Sequence, residues 1–262
     1  MKRFLRAANT LLGAYYAYML EYRAELVFWI LAGSLPFIMM GVWIQAAQSG
    51  RFSLNALDFG HYFLATFLLR QLTVVWVIWD FERDVVEGRL SPRLLQPLDP
   101  GWHYFFSHLS ERFARLPFVL ILLGGVFLLY PQLFWLPDLN HSLLFVLMAF
   151  LVFALRFVIQ YTLAMAAFWL ERAVAFEQLW FLFYLFLSGM IAPLDVFPPL
   201  MQKIVLWTPF PYLVNFPARM LVGLPVEDGH ILLATLGWLL FFYLCNRWLW
   251  RLGLKHYSGM GA

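Results

Sequence analysis

The chain has 262 residues, of which 63% are hydrophobic and only 13% charged. A soluble domain carries about a quarter charged residues, so a globule solvated by water alone is excluded. The net charge of +3 and the mean hydropathy of +0.74 describe a protein solvated mainly by lipid, and the small positive surplus calls for no nucleic-acid partner.

The opening residues, MKRFLRAANTLLGAYY, are basic but hold no sustained apolar run followed by a small-residue cleavage site, so a cleaved signal peptide is not expected. Lys2, Arg3 and Arg6, with Leu11, Leu12, Tyr15, Tyr16, Met19 and Leu20, suit a helix lying in the membrane interface over residues 1–23. A hydrocarbon core about 30 Å thick takes roughly 20 apolar residues per crossing. Six segments are candidates: Leu26–Ile44, His61–Trp79, Leu116–Tyr130, Leu143–Leu170, Gln178–Ala192 and Ile231–Trp250. The third and fifth are short. The third can extend through Pro131–Leu136, while the fifth reads as a helix that breaks near the far interface. Gly33, Gly41, Gly124 and Gly125 would allow close helix approach. The fold class is therefore all-α integral membrane, one domain over residues 1–262, with six transmembrane helices.

Between the second and third spans lies the main charged block, Trp76–Arg115. Asp80, Glu82, Asp84 and Glu87 interleave there with Arg83, Arg89 and Arg93. Ser91-Pro92 can cap and open a short helix, Pro97 and Pro100 limit it, and a mixed helix resumes near Trp102. Such a block, residues 80–115, is where a soluble partner would deliver a signal or a force.

Two arginines, Arg70 and Arg156, fall inside spans. A charge at mid-membrane costs a few kcal/mol on insertion scales, so it faces a protein interior or a wet cavity. Either they line a pathway for an anionic or polar substrate, or they are structural.

After the fifth span, Leu187–Gly223 contains Pro193, Pro198, Pro199, Pro209, Pro211 and Pro217. A continuous helix cannot pass them, because each proline removes an N–H and clashes with the preceding turn. The stretch is too apolar for an ordinary exposed loop, and irregular backbone at membrane depth survives only inside protein or along a cavity. A re-entrant hairpin over residues 193–229 follows, with short helices at Pro199–Trp207 and Phe216–Val222.

Loop charge sets the orientation. With the N-terminus inside, the inner segments collect Lys2, Arg3, Arg6, Arg23, Arg83, Arg89, Arg93, Arg112, Arg115, Arg172, Arg247, Arg251 and Lys255. The outer loops then hold only Arg51, Lys203 and Arg219. Both termini are expected in the cytoplasm.

The chemistry of the remaining residues is sparse. None of Lys2, Lys203 and Lys255 stands in a GxxxxGK[ST] phosphate loop. The histidines lie at span edges or in loops, HExxH is absent, and His103 and His108 are too far apart around a helix to share a metal. Ser188-Gly189 has no mid-span histidine in the last helix to act as a base. Cys245 stands alone, so no disulfide forms within the chain. No catalytic residue and no metal ligand is expected.

Taken together, these elements resemble the type-2 ABC exporter (ABC-2-type) permeases. The insert DVVEGRLSPRLLQPLDP is similar to that family's loop at Asp84, Gly88, Leu90, Leu94, Pro97 and Leu98. Ser188, Gly189, Pro193, Pro198, Pro209 and Arg219 match its outer signature, from which Pro199, Pro211 and Pro217 depart. The resemblance covers nearly the full length.

It implies a permease subunit of an ATP-driven exporter in the inner (cytoplasmic) membrane, paired with itself or a sister permease and docked on two cytoplasmic ABC ATPase subunits. ATP and Mg would bind those partners, with no cofactor in this chain. A cytoplasmic coupling helix at roughly Asp80–Leu98 would meet the ATPase through Asp84, Glu87, Gly88, Arg89, Leu90, Arg93 and Leu94. Val85, Val86, Leu90 and Leu94 would anchor it, and the loop Glu171–Glu177 would be a minor second contact. Ser188, Gly189, Pro193, Phe197 and Pro198 would form the outer gate. The competing reading is a membrane-embedded scaffold or assembly protein that recruits a soluble partner without transport.

Overall fold

The computed structural model describes residues 2–170, 172–226 and 228–257, and among these the chain is all helical. Helix α1 (Lys2–Glu21) precedes α2 (Arg23–Ala32) and α3 (Leu35–Ala47), which together make one apolar stretch of 25 residues. Pro36, in the first turn of α3, has no N–H to continue the α2 ladder, and the chain breaks at Gly33-Ser34. Gly33 is needed there for a second reason: a Cβ would sit 2.8 Å from Gln71 Nε2. The other glycines expected to allow close approach, Gly41, Gly124 and Gly125, face open space.

A reciprocal cap starts α4 (Ala56–Thr73). Asn55 Oδ1 accepts the N–H groups of Leu57 and Asp58, and Asp58 returns a bond to Asn55 N at 3.0 Å. Extended backbone at Val74 interrupts the helix before α5 (Val77–Val86) continues it, giving 31 residues in all. The most apolar window of this pair is 72% buried, against 22% for α2–α3. The pair is the central post of the bundle, and Phe59, Tyr62, Phe63 and Phe67 form its packed core.

A five-residue helix, α6 (Leu90–Leu94), leads to α7 (Pro100–Leu129), which Asp99 caps through Gly101 N. Two expectations change here. The short helix begins at Leu90 rather than after a Ser91 cap, because Ser91 Oγ meets the Tyr257 hydroxyl at 3.0 Å instead. The third span gains its length at its start, running unbroken from Pro100 through Pro117. Beyond Tyr130, Pro131–Leu133 is a 3₁₀ turn rather than an extension of the helix.

Asp138 then caps α8 (Leu139–Ala164), and the backbone N–H of His141 holds its carboxyl below the usual carboxylate range. A 3₁₀ turn at Met165–Phe168 ends α8, and α9 (Val174–Leu187) follows. The hairpin comprises a 3₁₀ turn at Leu194–Val196, α10 (Pro199–Leu206), α11 (Phe210–Leu213) and α12 (Asn215–Val222). Its helices start at prolines or just before them, where a missing N–H costs nothing. Helix α13 (Asp228–His256) packs along α8 and completes the chain.

Five of these elements are long and apolar enough to cross a membrane: 23–47, 56–86, 100–129, 139–168 and 229–256. The predicted fifth span, Gln178–Ala192, is instead the 14-residue α9. At 1.5 Å per residue it extends about 21 Å, short of a full crossing.

Candidate functional site

Three groups of polar residues stand out, one at the arginine-rich loop, one inside the bundle and one at the hairpin. In the loop, Asp84 is buried at the close of α5. It accepts the Tyr104 hydroxyl at 2.6 Å and pairs with Arg93 at 3.0 Å, and the Arg93 guanidinium lies 4.7 Å over the Tyr104 ring. Gly88, with φ of +73°, takes the left-handed turn that lets the chain leave α5 and fold back. Leu90 is fully buried beside Phe81 and Tyr104.

This buckle sorts the expected contact residues into two sets. Asp84, Val85 and Leu90 are buried in the chain itself, and Arg93 is tied to Asp84. Val86, Glu87 and Arg89 are exposed, Glu87 and Arg89 pair at 2.7 Å, and Leu95 is 89% exposed. Leu94 is half-buried. The apolar residues offered outward are thus Val86 and Leu95.

Of the expected second contact, Glu171 lies outside the described residues. Glu177 is buried, accepting from Gln160 Nε2 at 2.9 Å, so it is not presented outward. A different link joins the loop to this region. Glu82 Oε2 accepts Val174 N at 2.7 Å, placing a carboxylate on the free N–H groups at the start of α9.

The second group is a set of arginines inside the bundle. Arg156 donates to the Tyr184 hydroxyl at 2.7 Å and lies 4.3 Å over the same ring. Arg70 is half-buried, reaches only the weak acceptor Met190 Sδ at 3.5 Å, and is within electrostatic reach of Tyr184 and Arg156. Among the described residues neither makes an ion pair within 4.0 Å. Arg156 thus engages Tyr184 directly, and Arg70 engages Met190 instead. Two further arginines, not singled out in the sequence, share a single buried carboxylate: Glu111 pairs with Arg112 at 2.7 Å and with Arg115. Arg112 also donates to the carbonyls of His108 and Gln71. The i,i+4 spacing of Glu111 and Arg115 is the signal that could have revealed the cluster.

The third group fastens the hairpin at the other end. Gly189, with φ of +96°, turns the chain after α9, and Tyr62 donates to its carbonyl at 2.8 Å. Asn215 Oδ1 lies 3.2 Å from that hydroxyl and accepts Leu194 N at 3.1 Å, while Asn215 N donates to Ser188 O at 2.9 Å. Trp43 Nε1 donates to Ile191 O at 2.7 Å, and Arg219 pairs with Asp195. Of the predicted hairpin residues, Ser188, Gly189 and Pro193 are buried, Phe197 is half-buried and Pro198 exposed. Tyr62 and Asn215, which hold them, were not foreseen. A buried tyrosine or asparagine in an apolar run carries no distinguishing pattern. Among the described residues no three of His, Cys, Asp or Glu converge in a way that could hold a metal ion.

Comparison with known proteins places this geometry. The sequence pattern of a family described as ABC-2 family transporter protein matches residues 50–261. That range takes in the loop, the arginines and the hairpin. No curated protein matches the chain significantly.

Proposed function

Since this chain belongs to the ABC-2 transporter family, and is thus a multi-pass membrane subunit of an ABC transporter, we propose that it is the permease of an ATP-driven exporter. It pairs with a second permease, its own copy or a sister, and receives energy from two cytoplasmic ATPase subunits that bind ATP and Mg. Five full spans and the shorter α9 with its hairpin make up a six-span topology, with both termini in the cytoplasm of the cell that holds it in its inner membrane.

The observation that carries this reading is the construction of the loop 84–95. Its base is locked by Asp84, Tyr104 and Arg93, and its tip offers Val86, Glu87, Arg89 and Leu95. A rigid base with an exposed apolar and charged tip suits a lever that must transmit a push. Charge at the tip sets register and partner choice, and the two apolar side chains supply anchors. From there the push passes into α5 and, through Glu82, into α9. The polar center around Arg70, Arg156 and Tyr184 lies beside the helix so moved, and forms part of the pathway. The hairpin fastened by Tyr62 and Asn215 is the outer gate.

Purification of the tagged chain from native membranes in mild detergent tests this. A soluble ATPase should co-purify in stoichiometric amount, and an Arg89→Glu, Leu95→Asp double variant should lose it while inserting normally. A chain that leaves the membrane without any nucleotide-binding partner contradicts the reading and favors a scaffold.

A further inference from the structure

An open groove of about 630 Å³ runs between α4, α7 and α8, within the roughly 300–1,000 Å³ typical of ligand sites. Its floor is apolar, with Leu68 and Ala149, and its rim includes Phe113, Leu120 and Val146, all exposed. Because the rim lies on spanning helices, the groove opens sideways onto the surface that meets hydrocarbon. Helix α7 lines it from Leu109 to Phe127, about 27 Å at the helical rise and close to the roughly 30 Å of a bilayer core.

Arg112 is the single charged residue in the lining, and it sits at the end nearest the loop. The charge there is not balanced: Arg112 and Arg115 share one carboxylate, Glu111, with all three buried. Moreover, Arg115 Nε is buried without a hydrogen-bond partner, while Arg112 Nη2 lies 2.7 Å from Glu111 Oε2. Two guanidinium groups sharing one carboxylate in a dry site favor an anion with several oxygen acceptors. An apolar trough as long as a bilayer is thick, open to lipid and cationic at one end, fits an amphiphile with an anionic head.

We propose that this groove binds one anionic glycerophospholipid of the surrounding membrane, with an acyl chain along α7 and its phosphate at Arg112. The site is distinct from the loop tip and meets the hairpin only through Leu221, and it stands whether or not the ATPase reading does.

Native mass spectrometry of the full chain, purified and delipidated in mild detergent, tests the idea by titration with phosphatidylglycerol or phosphatidylcholine of identical chains. Phosphatidylglycerol should bind at least about tenfold more tightly. A Leu120→Trp, Val146→Trp double variant, which fills the rim without touching an arginine, should lose that binding at an unchanged melting temperature. Arg112→Gln should bind both lipids alike, but Arg112 also holds two backbone carbonyls, so the rim variant carries the test if that protein fails to fold. Equal binding of the two lipids by the unaltered chain overturns the proposal, as does undiminished phosphatidylglycerol binding by the rim variant. A disulfide-linked dimer formed in membranes through Leu120→Cys assigns the groove to a second copy, and also overturns it.

Discussion

Tyr62 shows how much one polar atom in an apolar bundle can decide. Its hydroxyl reaches Gly189 O and Asn215 Oδ1 from the hairpin end of the central post, so Tyr62→Phe leaves a buried carbonyl without its donor. The expected cost is about 1–3 kcal/mol, read as a lower melting temperature in detergent. An unchanged melting curve would mean that the hairpin is held elsewhere. Arg156 poses the opposite case. A buried charge without a carboxylate partner is costly to keep, so its removal offsets the lost hydrogen bond to the Tyr184 hydroxyl. Arg156→Met should therefore accumulate and melt like the parent while ATP hydrolysis by the assembled complex falls severalfold. A marked loss of melting temperature with unchanged turnover would make the arginine structural. Both arginines were legible because a charge inside an apolar run is conspicuous. Tyr184, the partner of Arg156, was not, since nothing separates it in sequence from the packing aromatics around it.

At the scale of elements, the proline spacing located the hairpin helices well, because proline costs least in the first turn of a helix, although Pro117 inside α7 shows that the rule is not absolute. Charge located the loop but misjudged its solvation. Asp84, His108, Glu111, Arg112 and Arg115 are buried: Asp84 pairs with Arg93, and Arg112 and Arg115 share Glu111, and which charges the fold buries together cannot be read from a linear list of them. The third span illustrates the same limit: apolar content suggested growth toward residue 136, whereas α7 grows backward through residues whose polar groups are internally paired. Two outcomes follow. Asp84→Ala removes the acceptor of both Arg93 and Tyr104 and should destabilize the chain by roughly 1–3 kcal/mol, moderated by the partial exposure of Arg93. Gly189→Ala should cost a comparable amount. At φ of +96° a side chain is strained, and its Cβ would lie 2.5 Å from the Tyr62 hydroxyl. Thermal unfolding of each purified variant checks both, and a parent-like midpoint for either one removes the corresponding lock.

Across the whole molecule, the described structure forms one connected path. The tip of the loop 84–95 rests on a buried buckle, the buckle closes α5, Glu82 ties α5 to α9, and α9 turns at Gly189 into a hairpin bonded to Tyr62 on α4. In the proposed orientation, the path runs from a cytoplasmic ATPase to an outer gate. Because α4 and α5 belong to the same interrupted post, both ends of the path bear on one element. In the proposed mechanism, force enters at the exposed tip. The most direct measurement places a photo-crosslinking side chain at Leu95, irradiates native membranes and identifies the adduct by mass spectrometry. An adduct with a soluble ATPase subunit is the predicted result; an adduct with lipid or with another copy of this chain, and none with an ATPase, contradicts the account.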